Sequence, residues 1–146
     1  MGPSGQRPRE GHAQPQDVRL SPDGTTFYIA DLQSAGIYLI DAATFRQTGY
    51  IATGIGAHGL YPNHDGSKIF VINRGTQIVG GPPRGQGSVS VLDTATNTIT
   101  ATWPIPGGGS PDMGNITPDG GQLWLGGRYD SEVYALDTTT GALLAR

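Results

Sequence analysis

Val89-Ser90-Val91-Leu92-Asp93-Thr94-Ala95-Thr96 reads as a strand that stops in a turn. Its first half alternates. Its second half carries an aspartate that can accept hydrogen bonds from its own backbone two residues on, with a threonine closing the turn. The same octet stands at Ile37-Tyr38-Leu39-Ile40-Asp41-Ala42-Ala43-Thr44 and at Val133-Tyr134-Ala135-Leu136-Asp137-Thr138-Thr139-Thr140. Upstream of each lies a segment rich in aromatic and branched residues: Phe27-Tyr28-Ile29-Ala30-Asp31, Ile69-Phe70-Val71-Ile72-Asn73 and Leu123-Trp124-Leu125-Gly126-Gly127. Upstream again is a turn tetrapeptide, Ser21-Pro22-Asp23-Gly24, Asn63-His64-Asp65-Gly66 and Thr117-Pro118-Asp119-Gly120. Proline presets φ for a type I turn and glycine accepts positive φ, so each tetrapeptide predicts a hairpin.

The spacing turns three similarities into a repeat. The Asp-Gly pairs lie 42 and then 54 residues apart, at 23, 65 and 119. From each pair to the later aspartate the chain runs 18, 28 and 18 residues, so the middle repeat carries ten extra residues between Asn73 and Ser88. An underlying period of about 42–44 residues suits four short strands with tight turns, the unit of a β-propeller blade. The expected fold is therefore all-β: three four-stranded antiparallel blades over about residues 16–55, 56–108 and 109–146, behind a polar, Gly-, Pro- and Arg-rich tail over residues 1–15. The outer strand of the second blade is expected from Ile99 to Pro106, because prolines at 104 and 106 suit an edge. No apolar series at helical spacing survives the Gly, Pro and Thr content.

Composition bounds the function classes. Gly and Pro together make 35 of 146 residues, and they fall in register, which marks them as turn residues. Net charge is -3, which gives no electrostatic reason to expect nucleic acid. There is no Cys, hence no disulfide and no thiolate metal site. No apolar run is long enough to span a bilayer. The tail lacks the apolar stretch of a signal peptide, so the residues leave the compartment open. No metal ligand set, no Gly-x-Ser-x-Gly elbow and no phosphate loop is present, since Gly107-Gly108-Gly109 lacks the following Lys and helix. Asp41, Asp93 and Asp137 read as turn formers rather than catalytic acids, and neither a cofactor nor a metal is expected.

At its second and third strands the chain resembles the YVTN-repeat (YncE-like) family. Tyr28-Ile29-Ala30-Asp31 and Phe70-Val71-Ile72-Asn73 match the naming motif in character. Val89 to Asn97 matches the following strand and turn. The third repeat departs from it, with Gly126-Gly127 in place of the Thr-Asn end. The resemblance covers about residues 15–146 and implies three blades of a seven-bladed ring. It also implies bacterial relatives, many of them secreted or periplasmic, and an architecture shared with quinoprotein and haem-containing propellers.

In such a ring the first strand of each blade lines the central channel. Aligning the Asp-Gly pairs puts Gln16, His58 and Asp112 at equivalent positions at the channel mouth. The loops after the second strands add Asp31, Asn73, Arg74, Arg84, Arg128, Tyr129 and Asp130 on the same side. The insertion, with Gly80-Gly81-Pro82-Pro83-Arg84-Gly85, is expected to sit over the mouth, and its Gly and Pro leave few side chains to pack. The candidate ligand-binding set is thus Gln16, Asp31, His58, Asn73, Arg74, Asp112, Arg128 and Tyr129. The structural alternative is that His58 bonds a neighbouring blade and that Arg74 and Arg128 form ion pairs.

The leading reading is a non-enzymatic scaffold that binds a small molecule or a protein at this mouth. A lactonase of the 6-phosphogluconolactonase type is the alternative that Ile72-Asn73-Arg74-Gly75 resembles, and a quinoprotein- or haem-type redox propeller is the third. Three blades leave two blade faces uncovered, so self-association or further blades are expected, with Phe27, Ile29, Trp124 and Tyr134 supplying the open surface.

Overall fold

The computed structural model describes residues 13–146, so most of the expected tail lies outside the described residues. Twelve strands follow one another. The first blade holds β1 (Pro15–Leu20), β2 (Thr26–Asp31), β3 (Gly36–Asp41) and β4 (Gln47–Ala52). The second holds β5 (Ala57–Pro62), β6 (Lys68–Asn73), β7 (Ser88–Asp93) and β8 (Thr98–Pro104). The third holds β9 (Pro111–Ile116), β10 (Gln122–Gly127), β11 (Glu132–Asp137) and β12 (Leu143–Ala145). Each blade is a four-stranded antiparallel meander in chain order. No helix forms among the described residues, and none is long and apolar enough to cross a membrane.

The turns form for the reasons their residues give. Gly24, Gly66 and Gly120 take φ of 75°, 72° and 76°, a region a Cβ disfavours. Their amides donate to the carbonyls of Ser21, Asn63 and Thr117 at 2.8–3.0 Å. At the third turn of each blade, Asp41 Oδ1 accepts from the Thr44 amide and hydroxyl, each at 2.7 Å. Asp93 does the same with Thr96 at 2.8 and 2.9 Å, and Asp137 with Thr140 at 2.7 and 2.9 Å. These bonds hold all three carboxyls below the usual aspartate range.

Two apolar layers join the blades. Tyr28, Ala30, Ile37 and Leu39 of the first blade pack on Leu60, Ile69, Val71 and Leu92 of the second. On the second blade's other side, Phe70, Ile72, Val89 and Val91 pack on Leu123, Leu125, Tyr134 and Leu136 of the third. Neighbouring residues of one strand thus face opposite layers, as the period of two requires. Because both faces of the middle blade are covered, β6 reads as an uninterrupted apolar run.

Two expectations need correction. Tyr134 does not lie on an open face: it is fully buried against the second blade. The outer strand of the second blade ends at Pro104, and Ile105 turns inward to join the core at 4% exposure. A buried isoleucine there outweighs the ladder bonds that two prolines could not complete.

Candidate functional site

The innermost strands β1, β5 and β9 stand side by side, and a charged cluster forms where β5 and β9 begin. Asp112, at the start of β9, is its centre. Arg74, just after β6, donates from Nε to Asp112 Oδ1 at 2.7 Å. Arg128, just after β10, donates from Nη1 to Oδ2 at 2.8 Å. His58 of β5 lies with Nδ1 3.2 Å from Oδ1, a close approach that makes no hydrogen bond. Burial opposes ionisation of Asp112, but the two guanidinium bonds and His58 outweigh it and the carboxyl is held below its ordinary range. Burial also depresses His58, reinforced by Arg74 and Arg128 against the pull of Asp112. At neutral pH the imidazole is therefore uncharged.

Arg74 is 4% exposed. Its amide donates to the Gly56 carbonyl at 3.0 Å, and the Gly75 amide to that of Ile55 at 2.9 Å. These bonds fix the base of the insertion where β5 begins. The far end of the insertion is fixed by Asp130, whose carboxylate accepts the amides of Arg84 and Ser110 and the Tyr134 hydroxyl. Burial and that bond push the Tyr134 phenol up to about 12. Between these ends the insertion touches both outer blades. Gln33 and Gln77 exchange amide bonds to each other's carbonyls at 2.5 and 2.6 Å, and the Tyr129 hydroxyl donates to the Val79 carbonyl. Ile78 and Val79 are left 64% and 69% exposed.

The structure therefore brings together His58, Arg74, Asp112 and Arg128, with Tyr129 at the insertion beside them. It does not bring in the other three. Gln16 is exposed and bonds only the Gln14 and Pro15 carbonyls. A bulge between Pro15 and Asp17 shifts the register of β1, so Asp17 is the residue that reaches the next blade, accepting the Leu60 amide at 2.8 Å. Asn73 is buried, donating to Ser88 and Ser90 at 3.1 and 3.0 Å. Asp31 is buried and accepts the Ser34 amide at 2.7 Å. Asp17 and Gln33 were missed by sequence reasoning. Nothing in a residue's type announces a bulge.

No family model and no curated protein sequence matches the chain. Solved structures do. The chain superposes on Kuenenia stuttgartiensis hydrazine synthase with a TM-score of 0.72 at 21% identity, over 97% of this chain and 37% of that one. It superposes on the β-propeller domain of Myceliophteria thermophila Cps50 (Swd1) with a TM-score of 0.66 at 14% identity, over 92% of this chain and 41% of that one. The fold is that of a β-propeller. This propeller chain spans well under half the length of either structure, and at such identities the likeness shows the fold alone.

Proposed function

We propose that the chain is a non-enzymatic binding scaffold of the YVTN (YncE-like) type, taking its ligand at the channel mouth beneath the insertion. The observation that carries this is the way the insertion is held. It is tied at its base to the second blade, through Gln77 to the first and through Tyr129 and Asp130 to the third, which leaves a fixed roof with an exposed tip beside a charged cluster. Longer loops positioned by a rigid scaffold are where binding concentrates. The matching repeat signatures at β2, β3, β6 and β7 support the finer family assignment.

The state of His58 favours binding over lactone hydrolysis. A general base is best oriented by a hydrogen-bonded partner, and His58 Nδ1, although 3.2 Å from Asp112 Oδ1, makes no hydrogen bond. The test is a thermal-shift screen of small molecules against the wild type and Arg128→Gln, run beside lactone-hydrolysis assays. Ligands should raise the melting temperature of the wild type and fail to raise that of Arg128→Gln. Lactone turnover that disappears in His58→Ala would refute the scaffold reading, as would a set of ligands acting equally on both proteins.

A further inference from the structure

We infer that the ligand of the mouth is a small oxyanion, a carboxylate or a phosphate, gripped by Arg74 and Arg128; this rests on the mouth being the binding site. A guanidinium offers five N–H donors in a fixed fork. Arg74 uses Nε on Asp112 and its backbone amide on Gly56. Among the described residues no acceptor meets either of its Nη groups, although its side chain is only 5% exposed. Neither Nη is among the fully buried side-chain atoms left without a partner, so these donors are open to a small solute rather than sealed in the core. Asp112 meets each arginine through one oxygen, Arg74 by Nε and Arg128 by Nη1, which leaves both Nη groups of Arg74 unengaged by it.

The charge count points the same way. Two guanidinium groups face one carboxylate, and His58 is neutral, so the cluster carries one surplus positive charge. Asp17 is taken by Arg19 at 2.5 Å and by the Leu60 amide, and Glu132, which lines the same hollow as Arg128, is ion-paired with Arg84 and Arg146. Asp130 is likewise engaged, by two backbone amides and Tyr134. Arg128 spends only Nη1 on Asp112 and keeps 37% of its side chain exposed, at the edge of a hollow it shares with Asp112, Met113 and Val133. A deep fork and an exposed one, held by a common carboxylate, make a site for an oxyanion with two or more acceptor atoms. The protein's net charge of -3 gives no electrostatic reason to expect nucleic acid there.

The experiment is titration calorimetry at low ionic strength with succinate and, separately, inorganic phosphate. The proteins are the wild type, Arg128→Gln and Arg74→Lys, each checked for folding by its circular-dichroism melt. One anion or both should bind the wild type saturably, and the arm that binds tells carboxylate from phosphate. Arg128→Gln and Arg74→Lys should each weaken binding about ten-fold or more, Arg74→Lys because it keeps the charge and loses the fork. Added chloride should weaken it further. Because Arg128 is partly exposed, its variant keeps the test decisive if Arg74→Lys fails to fold. No saturable heat from either anion overturns the inference, and so does unchanged affinity in folded Arg128→Gln. If neutral ligands from the screen still stabilise the wild type and not Arg128→Gln, the scaffold reading stands and only the oxyanion assignment falls.

Discussion

Phe45, Asn97 and Gly141 occupy the same position, the residue after the capping threonine of each third turn, and all three take positive φ, at 57°, 54° and 74°. Glycine is at ease there and asparagine tolerates it, but phenylalanine does not. Phe45 is also 77% exposed, so it gains little from packing. Phe45→Gly should therefore stabilise the protein by about 0.5–1 kcal/mol, the left-handed penalty less the entropy that glycine adds to the unfolded chain; urea unfolding measures it, and a lower midpoint would show that Phe45 packs in a way its exposure hides. The aspartate three residues before the capping threonine has the opposite role. Asp93→Ala removes both bonds to Thr96 and should lower the melting temperature modestly while leaving any ligand affinity intact. Since the Asp93 carboxyl is held below its unfolded value, its stabilisation is complete above the ordinary carboxylate range and is lost as pH falls through its depressed value. The wild-type advantage over Asp93→Ala should accordingly shrink in acid. A stable mutant that no longer binds would make Asp93 a functional residue instead.

At the scale of elements, the insertion between β6 and β7 is the main departure from the repeat. Its Gly and Pro leave few side chains to pack. The structure pins both ends: Gly75 to Ile55, Gly87 to Gly109 and Gly109 to Gly85 by backbone bonds, Arg84 to Asp130 by its amide. Only the tip stands clear. Hydrogen exchange should show slow amides at Gly75, Arg84 and Gly87, and fast ones from Val79 to Gly81, with the tip slowing when a ligand occupies the mouth. Protection spread evenly over the loop without ligand would mean the tip packs against something not seen here. The bulge in β1 belongs to this scale as well. It exchanges Gln16 for Asp17 at the blade contact, and a one-residue slip reverses which face a side chain joins.

At the scale of the molecule, the repeat assigns each blade a forward and a backward face. Both internal layers join a forward face to a backward one. What remains open is the backward face of the first blade and the forward face of the third. The first carries Val18, Leu20, Phe27, Ile29, Tyr38 and Ile40, and Val18 and Leu20 are each 48% exposed. The third carries Trp124, Gly126, Val133 and Ala135, with Trp124 and Val133 at 45% and 50%. Tyr38 is larger than its counterpart Ser90, while Gly126 and Ala135 are smaller than Ile72 and Val91, so a bulky face meets a hollow one. A second copy of this chain would offer each face a partner, as would further blades of a longer chain. Light scattering during size-exclusion chromatography should show mass rising with concentration, and Trp124→Lys should suppress the rise. A concentration-independent monomer that melts cooperatively would show that three blades suffice.

The sequence alone determined the blades. Turn tetrapeptides and capped aspartates are local signals, because each depends on residues within a few positions of one another, and their recurrence announced the three four-stranded antiparallel sheets. It also marked His58, Arg74, Asp112 and Arg128, since the repeat alignment and the strand ends bring them to one side. Only the tertiary structure decided how they meet: that Asp112 is bonded by two arginines, that Asp17 replaces Gln16, that Tyr134 faces inward, and that the insertion is tied to both outer blades. Those outcomes depend on bulges and on contacts between residues tens of positions apart, and no local pattern encodes either one.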